Sequence, residues 1–133
     1  VIYPVHLNPN VKDLVFEKLG KVSNIKLIDP LNYPAFIWLM NKSYLILTDS
    51  GGIQEEAPSF HVPTLVMRNT TERPEGIKKK TAILVGTDKE KIISITKKFL
   101  NDYKYYKSYV KKNNPYGDGK ASKKIIDFLI KNG

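Results

Sequence analysis

The stretch Tyr44-Leu45-Ile46-Leu47-Thr48-Asp49-Ser50-Gly51-Gly52-Ile53-Gln54-Glu55-Glu56 restricts the fold more than any other part of the chain. It opens with a short apolar run, the pattern of a buried strand. It breaks at Asp49-Ser50-Gly51-Gly52 and resumes with helix formers that carry acids early, where they suit the positive end of a helix dipole. The reading is strand, tight glycine turn, helix. Such a corner aims free backbone N–H groups at the space beyond the strand's carboxyl end, where anions such as phosphate bind. Gly51 and Gly52 let a ligand approach the backbone, and Ser50 adds a hydroxyl donor. Glu55 and Glu56, one turn in, are placed to accept from ribose hydroxyls, as acids do in dinucleotide folds. Glycine corners of this kind also occur in α/β domains that bind nothing.

The elements around the corner follow an alternating order. Val1 to Val5 is a β-branched strand, and Asn8 or Asn10 caps a helix with Pro9 near its first turn and Val11, Leu14, Val15 and Leu19 at helical spacing. Gly20 stops that helix. Ile25 to Ile28 is a second strand, Asp29 to Pro34 a loop, and Phe36 to Met40 a short amphipathic helix. After the corner, Pro58 ends or bends the third helix. Thr64 to Met67 is the fourth strand, Arg68 to Glu75 a polar loop, and Ala82 to Val85 the fifth strand. Asp88 caps a long helix to about Asp102, with helical structure continuing through the tyrosine-rich segment to Val110. Asn113 to Gly119 is a break, and Ala121 to Ile130 a last amphipathic helix.

Strands alternating with helices mean an α/β fold, a Rossmann-like, doubly wound parallel sheet of about five strands covered on both faces. Ligands of such sheets bind beyond the carboxyl ends of the strands. His6, Asp29 to Tyr33, Ser50 to Gly52 and Arg68 to Arg73 all fall at such ends, so four polar loops converge on one edge. With 133 residues there is enough chain for one domain, spanning 1–133, with a core. Nothing in it approaches the ~20 apolar residues of a membrane span, and no basic, apolar leader opens it. It has no cysteine, and its two histidines, His6 and His61, lie far apart, which excludes thiolate chemistry and argues against a metal site. These features favour the cytoplasm and no membrane partner.

The net charge of +9 admits an anionic partner. The excess is lysine, and only Arg68 and Arg73 supply the bidentate forks that nucleic-acid recognition favours. Lys78-Lys79-Lys80 is the densest run, and it reads as a solvated loop. Trp38 and the tyrosines from Tyr103 to Tyr109 read as packing residues, not as a stacking platform for bases.

Taken together, several stretches resemble the non-hydrolysing UDP-N-acetylglucosamine 2-epimerases. They are Tyr3 to Asn10, Leu27 to Leu31, Leu47 to Pro58, Val66 to Arg68, Thr70 to Glu75 and Asn114 to Gly119. Their order and spacing agree over nearly the whole chain. The resemblance implies the carboxyl-terminal half of a glycosyltransferase-B type fold, without its first strand and without the amino-terminal domain that carries the carboxylates for proton transfer. That domain is expected as a partner, in the same or a separate chain, and the family admits a homodimer. The implied reaction interconverts UDP-GlcNAc and UDP-ManNAc by anti elimination and re-addition of UDP, for cell-surface polysaccharide synthesis, with no cofactor and no metal.

Carried over by position, Ser50, Gly51 and Gly52 hold the diphosphate, Glu56 accepts from the ribose, and Arg73 stabilises the departing UDP. Leu31 to Phe36 frames the uracil, and His6 lies near the sugar nucleotide or at a regulatory copy of it. No complete catalytic set is present, so the chain alone is expected to be inactive. Blander roles stand beside these: Arg73 pairing with Glu72 or Glu75, His6 capping its turn, Glu55 as a surface acid. A binding module without catalysis is the alternative function, and a basic nucleic-acid-binding protein a more distant one. With the family's central strand absent, the first and third strands are expected to pair, giving the order 2-1-3-4-5.

Overall fold

A computed structural model describes all 133 residues. The chain divides into two compact units, Val1–Leu39 and Met40–Gly133. In the first, β1 (Ile2–Pro4) pairs in parallel with β2 (Lys26–Ile28), Tyr3 opposite Leu27. Between them runs α1 (Pro9–Leu19), started by the Asn8 side chain accepting from Asn10 N–H at 3.0 Å with Pro9 just inside. Gly20 ends it for lack of space: a Cβ there would stand 2.5 Å from the Phe16 carbonyl oxygen. The unit boundary falls within α2 (Tyr33–Lys42). Met40 is buried, whereas Trp38, two residues earlier and so on the opposite side of the helix, is 61% exposed and does not pack as expected.

The second unit is built on a parallel sheet in the order β3 (Ile46–Thr48), β4 (Thr64–Val66), β5 (Ala82–Leu84). The central β4 is wholly buried, as an all-apolar or threonine strand covered on both faces must be. Leu65, Val85 and Phe99 form the core, and Tyr105, Tyr106 and Tyr109 pack against it. Phe99 comes from α5 (Lys89–Asn101), whose first turn is capped by Asp88 accepting from Lys91 N–H at 2.7 Å. The expected continuous helix is broken at Asp102, which leaves helical geometry and caps α6 (Tyr103–Val110) through Tyr105 N–H at 2.8 Å. That break turns the tyrosines onto Phe99, and Tyr44 stacks on Tyr106 with ring centres 4.1 Å apart. Tyr105, Tyr106 and Tyr109 are packing residues, as read from the sequence, whereas Tyr103 is 66% exposed.

Five strands, parallel within each sheet and alternating with helices, give the α/β class and strand count expected. The direct pairing of the first and third strands does not form, and the 2-1-3-4-5 order is not realised. Hydrogen bonding leaves two sheets, β1-β2 and β3-β4-β5. Each of the two strands is three residues long and bonded along one edge. Ladders of that length do form within each sheet, so the failed pairing is one of edge choice, and nothing in three residues marks which neighbour an edge takes. A second departure lies at Pro74, which opens a short helix, α4 (Pro74–Lys78), where only a loop was expected. The proline at N1 is the signal for it. α7 (Ala121–Asn132) forms as expected, and its apolar residues, Ile125, Ile126, Leu129 and Ile130, are all exposed.

Candidate functional site

At the carboxyl end of β3 the chain turns through Asp49 and Ser50 into α3 (Gly51–Glu56), which tightens into a 3-10 turn (Ala57–Phe60) at Pro58. Thr48 is buried, and its hydroxyl accepts from Ser50 N–H at 3.0 Å, fixing the corner. Ser50 sits at the N-cap, but its side chain makes no capping bond, so the hydroxyl is free. Gly51 and Gly52 are helical and have no positive φ. Glycine is therefore not required there by the backbone. In a helix it costs up to about 1 kcal/mol per residue relative to alanine. What glycine provides is space. A Cβ on Gly52 would enter the gap between Ser50 Oγ and Glu56 Oε1, 3.9 Å from each. A Cβ on Gly51 would lie 3.5 Å from Arg73 Cζ.

Ser50, Gly51, Gly52, Glu56 and Arg73 are thus brought together, although Arg73 arrives from the loop after β4. The loop is tied to the corner by a chain of hydrogen bonds through Gln54, which is 1% exposed. Gln54 Nε2 donates to the Ser50 carbonyl at 3.2 Å, and its Oε1 accepts from the Thr71 hydroxyl at 2.7 Å. Thr71 Oγ1 in turn accepts from Arg73 N–H at 3.1 Å. The guanidinium is oriented by Glu55, whose Oε1 accepts from Nε at 2.7 Å, with Glu72 3.7 Å from Nη1. The Glu55 bond, then its charge, pushes the Arg73 pKa further up, so the cation is permanent. Glu72 is also gripped by Arg68 at 3.0 and 3.4 Å. Bonding to its own backbone, then the Arg68 charge, holds its carboxyl below the usual range.

A second brace comes from the loop before α7. Tyr116 donates to the Arg73 carbonyl at 3.1 Å and accepts from Gly76 N–H at 2.9 Å. Gly76 must be glycine for this, since a Cβ would stand 2.7 Å from the Tyr116 oxygen. Asn114 Nδ2 donates to the Glu55 carbonyl at 3.0 Å and to Ser59 Oγ at 2.7 Å, while its Oδ1 accepts from Tyr116 N–H. Burial raises the Tyr116 pKa, which keeps the donor protonated. A hollow of about 430 Å³ lies here, lined by Glu55, Glu56, Asn114, Tyr116, Asp118 and Lys124 among others. Glu56 Oε2 is buried without a hydrogen-bond partner. A carboxylate oxygen in that state costs free energy unless something donates to it.

His6, Leu31 and Phe36 belong to the first unit. His6 is exposed and its Nδ1 accepts from Asn8 N–H at 3.1 Å, the turn-capping contact. Leu31 and Phe36 are half-buried, Phe36 in the first turn of α2. Sequence reasoning missed Gln54, Thr71, Asn114 and Tyr116, and read Glu55 as a ribose acceptor or else a helix-surface or packing acid. The only signal for the last two was that Asn114 to Gly119 belonged to the matching stretches without having a role. No group of three or more histidine, cysteine or acidic side chains could hold a metal ion, and no helix is long and apolar enough to cross a membrane.

Comparison with known proteins covers the whole of this architecture. A family model described as UDP-N-acetylglucosamine 2-epimerase matches residues 1–130. The chain is 54% identical over 132 residues to the UDP-N-acetylglucosamine 2-epimerase of Escherichia coli K12, covering 99% of the chain and 35% of that protein. Among solved structures, the Neisseria meningitidis UDP-GlcNAc 2-epimerase bound to UDP-GlcNAc matches with a TM-score of 0.87 at 47% identity, over 98% of this chain and 36% of that one. The Staphylococcus aureus MnaA structure with UDP matches with a TM-score of 0.91 at 45% identity, over 96% and 35%. The chain therefore spans about a third of the length of the relatives it resembles.

Proposed function

The chain belongs to the UDP-N-acetylglucosamine 2-epimerase family, and on that footing we propose that its second unit grips the UDP part of a nucleotide sugar at the Ser50-Gly51-Gly52 corner. The diphosphate lies against the corner amides and the Ser50 hydroxyl, and Arg73 supplies the fixed cation. Glu56 accepts from the ribose hydroxyls, which gives its orphaned Oε2 the donor it lacks. The observation that carries this reading is the pair of glycines held in ordinary helical geometry, where their one use is the room they leave beside Ser50, Glu56 and Arg73.

In the whole enzyme the reaction is inversion at C2 of UDP-GlcNAc to give UDP-ManNAc, in service of cell-surface polysaccharide synthesis in the cytoplasm. A base removes the C2 proton while the C1–O bond breaks and UDP leaves with the bonding pair. The resulting 2-acetamidoglucal takes UDP back at C1 and a proton on the other face at C2. Negative charge grows on the terminal phosphate as it departs, and a cation already aimed there lowers that barrier without reorganising. The Glu55, Gln54 and Tyr116 contacts supply the aim. The acid and base come from the family's amino-terminal domain, in the same or a partner chain, since the acids around this corner are committed to Arg73 or placed for ribose. No cofactor or metal enters the scheme.

A nucleic-acid reading has less support. Arg68 has both terminal nitrogens on Glu72, which leaves Arg73, held by Glu55 through Nε alone, as the one guanidinium with open donors, too few forks for a nucleic-acid surface. Calorimetric titration with UDP decides the matter. Saturable, one-to-one binding that is lost in Arg73→Gln and indifferent to duplex DNA supports the proposal; equal binding of UDP by both proteins sinks it.

A further inference from the structure

Asn114 also borders another hollow of the second unit, of about 590 Å³. Its lining is Lys78, Lys79, Lys80, Lys111 and Lys112, closed by Asn113, Asn114 and Pro115. No acidic residue lines it, and none of the five lysines enters an ion pair, although four other cations do. The lysines arrive from two segments some thirty positions apart, the end of α4 and the end of α6. Both backbones are pinned. Lys80 is held at φ 57° with Thr81 returned to the Gly76 carbonyl by its N–H at 2.9 Å and its hydroxyl at 3.2 Å. The Lys112 carbonyl accepts from the His61 ring at 3.1 Å.

We propose that this hollow binds a small polyphosphate anion, at a site distinct from the Ser50-Gly51-Gly52 corner. Lysines at helix ends have an ordinary role, since a C-terminus attracts cations: Lys78 is the last residue of α4, Lys79 its cap and Lys111 the cap of α6. Two helix ends together amount to about one negative charge at most, and five positive charges face it. The surplus is left unneutralised by ion pairs within the protein where two lysine-bearing segments border one hollow, and such an arrangement recruits a counter-charge from solution. The occupant's class follows from the lining. Lysine binds phosphate as a point charge on a flexible stem, so the hollow favours the anion with the densest charge over one of a particular planar shape. There is no aromatic wall to stack a base, which disfavours single-stranded nucleic acid. A hollow of this size takes a ligand of metabolite scale.

The probe is inorganic tripolyphosphate, titrated calorimetrically into the purified protein at about 0.15 M salt, where exposed charges more than ~8 Å apart are already screened. Saturable one-to-one binding that UDP does not displace is the expected result. The variant is Lys79→Gln with Lys80→Asn and Lys112→Gln, asparagine being chosen because it tolerates the left-handed backbone at position 80. It should bind tripolyphosphate weaker by roughly tenfold or more, the loss expected on removing charged donors, and bind UDP as before. Should the variant fail to fold, lysine acetylation of the unaltered protein gives the same answer: tripolyphosphate slows modification of Lys79, Lys80, Lys111 and Lys112 but not of Lys123 and Lys131 on α7. Absence of saturation, undiminished binding by the folded variant, displacement by UDP, or uniform protection of all lysines each overturns the proposal. So does attachment to phosphatidylglycerol vesicles that tripolyphosphate cannot reverse, which would make the surface a membrane contact. Loss of UDP binding in Arg73→Gln leaves this result untouched, so the two sites fail or stand separately.

Discussion

Around Arg73, two carboxylates and a second guanidinium cluster, Glu55 and Glu72 with Arg68, and Glu56 lies beside Gly52. Around Lys79, five lysines line a hollow with no acid among them. Both regions suit anions, by opposite means. The first has no surplus positive charge, so long-range attraction contributes little there. Its capacity lies in direction: Glu55 takes Nε, the Tyr116 hydroxyl and Thr71 hold the backbone of Arg73, and the remaining guanidinium donors and the corner amides are left at set angles. The second has charge in excess and little to orient it, since lysine stems are flexible. Geometry of the first kind distinguishes a nucleoside diphosphate from other anions, and potential of the second kind collects whatever carries enough charge.

The largest expected effect tests direction at its source. Arg73→Gln removes charged hydrogen bonds worth about 1.5–3 kcal/mol each, so UDP affinity should fall by roughly ten- to a hundredfold, and tripolyphosphate binding should not change. Equal losses for both anions would mean that the two regions work by one electrostatic field. Gly52→Ala sharpens the same point. The new methyl group meets nothing closer than 3.9 Å in the protein, and alanine is the better helix former, so thermal stability should hold or rise by up to about 1 kcal/mol. UDP binding should nonetheless weaken about tenfold or more, because the methyl stands where the phosphate comes. A variant that gains stability and keeps full affinity would remove the case for the corner.

Tyr116→Phe tests the brace and not the contact. It strips the Arg73 carbonyl of a donor and leaves buried Gly76 N–H without an acceptor. The expected cost is about 1–3 kcal/mol of stability, read from chemical denaturation. UDP affinity should drop by a few-fold, less than for Arg73→Gln, since the cation survives with poorer aim. A drop in affinity as large as that of Arg73→Gln would make Tyr116 a contact residue; no drop at all would make the brace irrelevant to the corner.

The sequence made the corner legible because local chemistry writes it: an apolar run, a glycine pair and early acids are contiguous. It made the alternation of strands and helices legible for the same reason. Arg73 was reached by resemblance, as nothing near it in sequence says that it folds back onto Gly51. The supports were not legible. Gln54 looks like any helix glutamine until β4 places Thr71 opposite it. Tyr116 and Asn114 act across some forty and some sixty positions on Gly76 and Glu55, and contacts that distant leave no local period. Lys78 to Lys80 are exposed, as read; what no local pattern could show is that Lys111 and Lys112, beyond β5 and two helices, border the same hollow. The 2-1-3-4-5 order failed for a related reason: strand order depends on which edges meet, and three-residue strands carry no mark of their neighbour.

The smallest effect separates the two regions by pH. Burial raises the Tyr116 pKa above its ordinary value of 10.0. A group whose pKa is raised on folding contributes stability that is complete below its unfolded pKa and fades as pH climbs through the folded one. Deprotonation also ends donation to the Arg73 carbonyl, while the oxygen can still accept from Gly76. Between about pH 9 and pH 11 the protein should therefore lose slightly more thermal stability than Tyr116→Phe does. The difference cancels the raised tyrosines Tyr106 and Tyr109, and the lysines, which both proteins share. Tripolyphosphate binding should not differ between the two proteins over that range, because Tyr116 takes no part in that hollow. If the two proteins instead lose stability in parallel, the Tyr116 hydroxyl is not buried enough to link its proton to folding, and the aim of Arg73 must come from Glu55 and Thr71 alone.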